Sequence, residues 1–372
     1  MSSGPGPASA PLGEAPVGVS VLIPVRNEER HIRETVAAMQ GQRFDGPIEL
    51  LFADGRSSDR TREILEELAA SDARIRIFDN PRGRTASGLN VGLREARGEF
   101  VARMDAHTYY PPEYLAAGVE RLRRGDTEWV SGPAVPRPDG GVSRALALAL
   151  ASPLGRGGSR KWSEDATPAD EHELDTGVFG GVWRRSTLLA AGGWDERWPI
   201  NQDSEMAARF LDRGARLVCV AEMAAHYVPR DSISALVRQY FRYGFYRART
   251  FRRHPRSMRP SHVLAPGLAL ALVCATLGPR RLRAVARAGL GAYLAAVAAS
   301  AAGARDAQPS DRAILLAVLP AMHLGWGFGT LAGVARFGPP IDAVRRTLGG
   351  EATHAASEPE PVYAPSLHDA AG

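Results

Sequence analysis

Short, unbroken apolar runs alternate along the chain with longer stretches in which apolar residues recur every three or four positions. "VSVLIPV" (Val19 to Val25) is a β-branched run with no charged position, the pattern of a strand buried on both faces. "NEERHIRETVAAMQGQ" follows, with Ile32, Val36 and Met39 at helical spacing; Asn27 is placed to cap that helix, with acids in its first turn. "IELLFADG" (Ile48 to Gly55) predicts a second strand ending in Asp54. "SSDRTREILEELAASD" predicts a second helix capped by Ser58 or Asp59. "IRIFDN" reads as a third strand, "TASGLNVGLREARG" as a third helix and "EFVARMDA" as a fourth strand. Such an alternation predicts a parallel α/β sheet, where ligands bind off the carboxyl ends of the strands. Those ends carry Asp54 and Asp105.

Beyond residue 125 the pattern loosens into loop-like stretches, "VSGPAVPRPDGG" and "GRGGSRKWSEDATPADEH". Short strands, a glycine-rich turn and a helix from about Asp203 to Arg213 follow, then a basic aromatic helix over 235–253. Three apolar stretches come next: Val263 to Gly278, Val285 to Gly303 with Arg287 inside it, and the uncharged Ala313 to Ala335. A membrane span needs about 20 such residues, so the third qualifies best and the first is short. A buried helical subdomain is the alternative. Three simple spans would put "PRRLR" (Pro279 to Arg283) on the far side from the arginine-rich helix, against the positive-inside tendency. A re-entrant or interfacial first segment followed by two full spans keeps the basic clusters on one side.

Composition adds less. The chain has 372 residues, enough for one large domain with an appendage or for two domains. Its net charge of +5 comes from arginine, since Lys161 is the only lysine. That balance suits anionic lipid or phosphorylated substrates. The basic residues concentrate just before the apolar region, as in a membrane-facing helix, which argues against nucleic acid. Cys219 and Cys274 sit far apart in apolar runs and read as reduced, buried thiols. Residues 1–16 lack the basic and apolar parts of a signal peptide and read as a disordered leader; 351–372 read as a tail of the same kind.

Candidate chemistry gathers at the strand ends. On an extended chain Asp105 and His107 share a face, where a carboxylate and an imidazole suit Mg²⁺ or Mn²⁺ and a bound phosphate. Asp54 is placed to accept from a base or a ribose hydroxyl. Asp203 and Glu205 stand at a helix start. Gln239 and Arg242 lie on one helical face, where arginine grips phosphate well. Each has a plainer reading: a capped strand end, a helix-capping turn, an acid in a first turn, an amphipathic helix resting on a membrane.

Taken in order, "VSVLIPVRNEE", "ADGRSSDRT", "TASGLNVGLREARGEFVARMDAH", "GGVWRRSTLLAAGGWDE", "NQDSE" and "QYFRYG" resemble family 2 glycosyltransferases of GT-A fold. The chain looks most like the membrane-associated succinoglycan-type glucosyltransferases. The match runs from Val17 to Arg253. It implies a Rossmann-like, mostly parallel central sheet with a C-terminal membrane-associated helical region. The implied division is a leader 1–16, a catalytic domain 17–234, an interface helix 235–260, membrane helices 261–336 and a tail 337–372.

By that resemblance, Pro24, Arg26 and Glu28 belong to the nucleotide-holding loop, and Asp54 reads the base with Ala53 where the family often has a second acid. Asn90, Gly180 and Gly181 lie along the donor. Asp105 and His107 match the metal motif, with histidine in place of its last aspartate, and His226 is a further metal ligand. Asp203 matches the catalytic base, with Gln202 in place of the usual glutamate. Gln239 and Arg242 match an element in which Tyr243 replaces tryptophan. The implied activity is inverting, divalent-metal-dependent transfer from a UDP-sugar, UDP-glucose first, to a lipid-linked or glycan acceptor. It would act at the inner or plasma membrane, with the catalytic domain cytoplasmic. A nucleotidyltransferase would want a Gly- and Lys-rich signature near the first strand, which "IPVRNEE" lacks. A non-catalytic nucleotide-sugar-binding component would be expected to have lost Asp105, His107 or Asp203.

Overall fold

The computed structural model describes residues 18–157, 171–177, 180–304 and 307–349. The expected leader, the tail from 350 onward and most of the loop around Lys161 lie outside the described residues. The first half runs β1 (Val19–Val25), α1 (Ile32–Gln40), β2 (Ile48–Asp54), α2 (Thr61–Ser71), β3 (Ile75–Asp79), α3 (Thr85–Glu95), β4 (Phe100–Arg103), β5 (Thr108–Tyr109) and α4 (Tyr114–Arg123). Then come β6 (Trp129–Ser131), β7 (Ala134–Pro136), α5 (Gly141–Ala151), α6 (Pro153–Arg156), β8 (His172–Glu173), β9 (Gly181–Arg184), α7 (Arg185–Ala190), α8 (Gln202–Asp212), β10 (Leu217–Cys219) and β11 (Ala225–Tyr227). The last part is helical: α9 (Ile233–Arg253), α10 (Leu264–Leu277), α11 (Arg280–Gly303), α12 (Pro309–Phe337) and α13 (Ile341–Leu348).

The main sheet has the order β3-β2-β1-β4-β9-β6-β10-β8. β1 to β4 are parallel, and β9 lies antiparallel between β4 and β6. β1 and β2 are buried on both faces, as their unbroken apolar runs require. One core, Ile32, Val36 and Met39 among its members, packs α1 on the sheet; a second, built around Trp129, Trp183, Trp194 and Phe210, fills the opposite side. A small second sheet, β5-β11-β7, stands beside the end of β4.

Two local expectations fail for stated reasons. Asn27 does not cap α1: it adopts a left-handed conformation (φ 57°), and the helix starts only at Ile32. The backbone N–H groups of Asn27, Glu28 and Glu29 instead donate to Ser57 Oγ, Thr61 Oγ1 and Asp59 Oδ2, while Asn27 Oδ1 accepts from Ser58 N. The loops after β1 and β2 are thereby locked together. β4 ends at Arg103 rather than running to Ala106, because Asp105 N donates to the Tyr110 hydroxyl and Thr35 Oγ1 donates to Ala106 O. Asp105 and His107 therefore sit in a turn, and strand alternation does not place them.

The basic aromatic stretch forms α9, which packs along α12. Gly325, Gly329 and Gly333 come every fourth residue on α12; a Cβ on any of them would crowd or overlap the carbonyl oxygens of Val237, Phe241 and Phe245 in turn. Small residues at this spacing let helix backbones approach closely. Helices α10 (with its preceding turn), α11 and α12 are each long and apolar enough to cross a membrane. Half of the α12 stretch is buried within the protein, against 11% for α10 and 17% for α11. α10 and α11 thus form a hairpin that leaves Leu277 and Val285 largely exposed. Among the described residues neither cysteine is in a disulfide; Cys219 is buried and Cys274 half-buried.

Candidate active site

The residue that organises the site is Arg103, which the motif reading passed over. It closes β4, is 3% exposed, and faces Gly181 across the antiparallel β4–β9 pair. Its Nε donates to Asp105 Oδ1 at 2.8 Å and one terminal nitrogen to Asp105 Oδ2 at 3.1 Å, while the other terminal nitrogen donates to Asp203 Oδ1. Burial opposes the charge on Arg103, but the Asp105 and Asp203 carboxylates outweigh it and hold the guanidinium above even the usual arginine range. One buried cation therefore joins two acids that lie 98 positions apart in the chain. The sequence did carry a signal for it: Arg103 is the lone charge in "FVARM", two residues before Asp105.

Asp203 lies in the first turn of α8, where the partial positive charge of the helix end favours an acid. The start of α8 is fixed by Asn201, left-handed at φ 63°, whose Nδ2 donates to the Tyr243 carbonyl on α9 at 2.9 Å. The Tyr243 hydroxyl accepts from Gln239 Nε2 at 2.8 Å. Burial raises the Tyr243 pKa, Gln239 opposes it, and Arg230, Asp203 and Arg242 lie near enough to contribute. The exposed Arg230, also absent from the motif reading, acts on His107 as well. Arg103 thus brings Asp105 beside Asp203, the charges of Asp105 and Arg230 reach His107, and those of Arg230, Asp203 and Arg242 reach Tyr243.

His107 Nδ1 stands 3.1 Å from Glu28 Oε1. That bond lifts the His107 pKa above its usual value; burial opposes it, and Asp105 adds to it. A histidine raised in this way adds stability that is fully present below its unfolded pKa and is lost as pH rises through the folded one. Glu28→Gln is expected to bring the His107 titration, followed by NMR of the ring protons, back toward about 6.5. An unmoved midpoint would assign the shift to another group.

The remaining candidates divide. Asp54, 7% exposed, accepts from Ser57 N and, at 2.6 Å, Ser57 Oγ, so it is held inside its own turn. Pro24 pairs in register with Ala53, and Arg26 reaches the Gly83 carbonyl at 3.5 Å. The Gly180 carbonyl accepts from Ser131 Oγ, and a Cβ on Gly180 would press on the Tyr114 hydroxyl at 2.8 Å. One on Gly181 would overlap the Trp129 indole nitrogen, so side chains are excluded at both positions. Asn90 Nδ2 donates to Trp194 O and Glu196 Oε1, and its Oδ1 accepts from Trp194 N, so the amide ties α3 to the segment before α8. His226 is exposed on β11, opposite Tyr109, and is not gathered with Asp105 and His107: among the described residues no three His, Cys, Asp or Glu groups converge as a metal cage.

The pair Asp105 and His107 still suits a divalent cation. The Glu28 bond occupies Nδ1, so Nε2 would be the nitrogen to ligate a cation, with a carboxylate behind the imidazole as in many metal sites. Mg²⁺ and Mn²⁺ commonly take one or two protein ligands and complete their shell with substrate phosphates.

The glycosyl transferase family 2 model matches residues 20–188. The succinoglycan biosynthesis protein ExoA of Rhizobium meliloti (strain 1021) is 31% identical over 322 residues, covering 83% of this chain and 92% of that protein. The chain belongs to glycosyl transferase family 2. A second relative of this glycosyltransferase, from Methanococcus voltae, is 24% identical over 61% of the chain and 71% of its own length; its name is that of a dolichyl N-acetyl-alpha-D-glucosaminyl phosphate diacetamido-dideoxy-glucuronosyltransferase. Among solved structures, the mannosyltransferase PcManGT from Pyrobaculum calidifontis, in complex with GDP-Man and Mn²⁺, superposes with a TM-score of 0.51 at 19% identity, covering 92% of this chain and 91% of that one. The fold of this family 2 glycosyltransferase is thus the expected GT-A arrangement, followed by three apolar helices long enough to cross a membrane.

Proposed function

We propose that the chain transfers a sugar with inversion from a nucleoside-diphosphate donor, UDP-glucose first among candidates, to a lipid-linked or polysaccharide acceptor, with help from Mn²⁺ or Mg²⁺. The reading has a catalytic unit over 17–234 on the cytoplasmic side of the inner or plasma membrane, with the apolar helices as its membrane-associated part. The observation that supports it is the joining of Asp105 to Asp203 through buried Arg103, which would set a cation-holding acid and a base side by side. The polysaccharide setting draws on the succinoglycan relative, the membrane on the three apolar helices, and the metal on the Mn²⁺ complex of the structural neighbour.

In this reading Asp105 and the Nε2 of His107 would hold a cation, which when bound would supply positive charge to neutralise the diphosphate. Glu28 orients His107. Arg230 and Arg242 would be the cations that bind the leaving diphosphate. The loop of Pro24, Arg26 and Glu28, locked to the loop after Asp54, shapes the nucleotide end. Asp203 takes the proton from the acceptor hydroxyl as its oxygen attacks the anomeric carbon, and one displacement by one base gives inversion. A carboxylate has about four lone-pair sites, so the bond from Arg103 leaves Asp203 capacity for that proton.

The test is a donor screen on membranes containing the chain, reading nucleotide release with and without lipid acceptor. Release from one donor should vanish in EDTA and return with Mn²⁺ or Mg²⁺. Release that ignores divalent metal would remove the role given to Asp105 and His107.

A further inference from the structure

A cavity of about 680 Å³, with no candidate-site residue in its described lining, opens where the last turns of α9 and α12 meet the segment between Trp194 and α8. Five arginines line it, Arg197, Arg249, Arg252, Arg253 and Arg336, over the rings of Trp198 and Phe337. No carboxylate is among the described lining residues; Asp195, paired with Arg197, is the near acid.

The guanidiniums are held from behind. Arg249 donates to the Arg197 carbonyl at 2.7 Å and lies 4.2 Å over the Trp198 ring. Arg252 donates to the Phe337 carbonyl, and Arg336 stands 5.8 Å from the Phe337 ring centre. Among the described residues, Arg253 and Arg336 have no carboxylate partner, and both are exposed. Burial first, then the neighbouring charges of Arg197 and Arg253, hold Arg249 below the usual arginine range.

Helix ends attract basic residues, which accounts for Arg252, Arg253 and Arg336 one at a time. Asp195 accounts for Arg197 in the same way, as its ion-pair partner; neither accounts for five guanidiniums lining one cavity, where like charges repel. Planar, pre-oriented guanidiniums are the groups that grip phosphate. The place selects the source of that phosphate. The cavity is lined by the last two residues of the candidate span Pro309–Phe337 and by the end of α9, which shortly precedes the first apolar helix, so it lies where polar and apolar parts of the chain meet. Lipid headgroups occupy such a border, and basic clusters beside apolar segments are drawn to anionic lipid.

We propose that this cavity binds the phosphate headgroup of an anionic membrane lipid and so seats the catalytic domain on the bilayer beside its apolar helices. The site is separate from the transfer chemistry, and its test uses neither donor nor acceptor. Full-length protein purified in detergent is titrated calorimetrically with dioctanoyl phosphatidic acid, dioctanoyl phosphatidylcholine and inorganic pyrophosphate. Phosphatidic acid should bind and phosphatidylcholine should not. Arg253→Gln with Arg336→Gln should weaken phosphatidic acid by about tenfold or more, whereas Arg280→Gln with Arg281→Gln, the same charge removed from the α10–α11 turn, should leave it within about twofold. Both changed pairs are exposed, and an unchanged circular dichroism spectrum checks their folding. Equal losses in the two double variants would mean general attraction to charge and overturn the site. Pyrophosphate bound as tightly as phosphatidic acid would overturn the lipid source and assign the cavity to a soluble phosphate compound.

Discussion

Asp203→Asn should lower the turnover number by roughly 10²- to 10⁴-fold while leaving the dissociation constant for the donor within about threefold. Asparagine keeps the size of the side chain and can still accept from Arg103, so the wall of the site stays in place. It cannot take up the proton of an acceptor hydroxyl. Arg103 keeps its bidentate contact with Asp105, so the acid that would hold the cation is not released. Two measurements separate binding from chemistry: donor titration by calorimetry, and single-turnover transfer with saturating donor. Near-normal single-turnover rates would move the base to another residue. Loss of donor binding by an order of magnitude would mean that Asp203 serves the diphosphate rather than the acceptor.

Much of the fold was legible because its signals are local. "VSVLIPV" and "IELLFAD" are strands where their patterns place them, and α3 begins at the expected Thr85. What escaped depends on partners distant in sequence. Asn27 looks like a helix cap in its own neighbourhood; only the Ser57 and Ser58 groups, 30 and 31 positions on, turn it into a lock between two loops. Asn90 sits among residues that resemble a donor-binding segment, and nothing local announces its bonds to Trp194 and Glu196. The glycine repeat in "GWGFGTLAG" announces a close helix contact without naming the helix, and α9 is supplied by the tertiary fold. Arg103 is the sharpest case. A single charge in an apolar strand can be read as exposed on one face, whereas here it is buried because two acids, one from a later helix, neutralise it.

That burial makes Arg103 the second position at which a large effect is expected. Arg103→Met keeps a comparable stem and removes the charge, leaving Asp105 and Asp203 facing each other in a buried site without their cation. Removing one partner from a buried ion pair typically costs about 3–5 kcal/mol of stability, because the charges left behind stay desolvated. Thermal unfolding in detergent should therefore fall clearly, and transfer with it. Instability alone could explain a lost rate, so the decisive comparison is a double-mutant cycle made at a temperature where every variant is folded. If Arg103 acts on transfer partly by positioning the base, Arg103→Met should slow the reaction less on the Asp203→Asn background than on the unchanged one, the loss that remains there coming from its hold on Asp105. Arg103→Lys should recover stability better than rate, since a lysine supplies one charge but no fork to hold two carboxylates at set angles. Additive losses in the cycle would mean that Arg103 affects the reaction by a route independent of Asp203, with the buried network serving the fold and not the proton transfer.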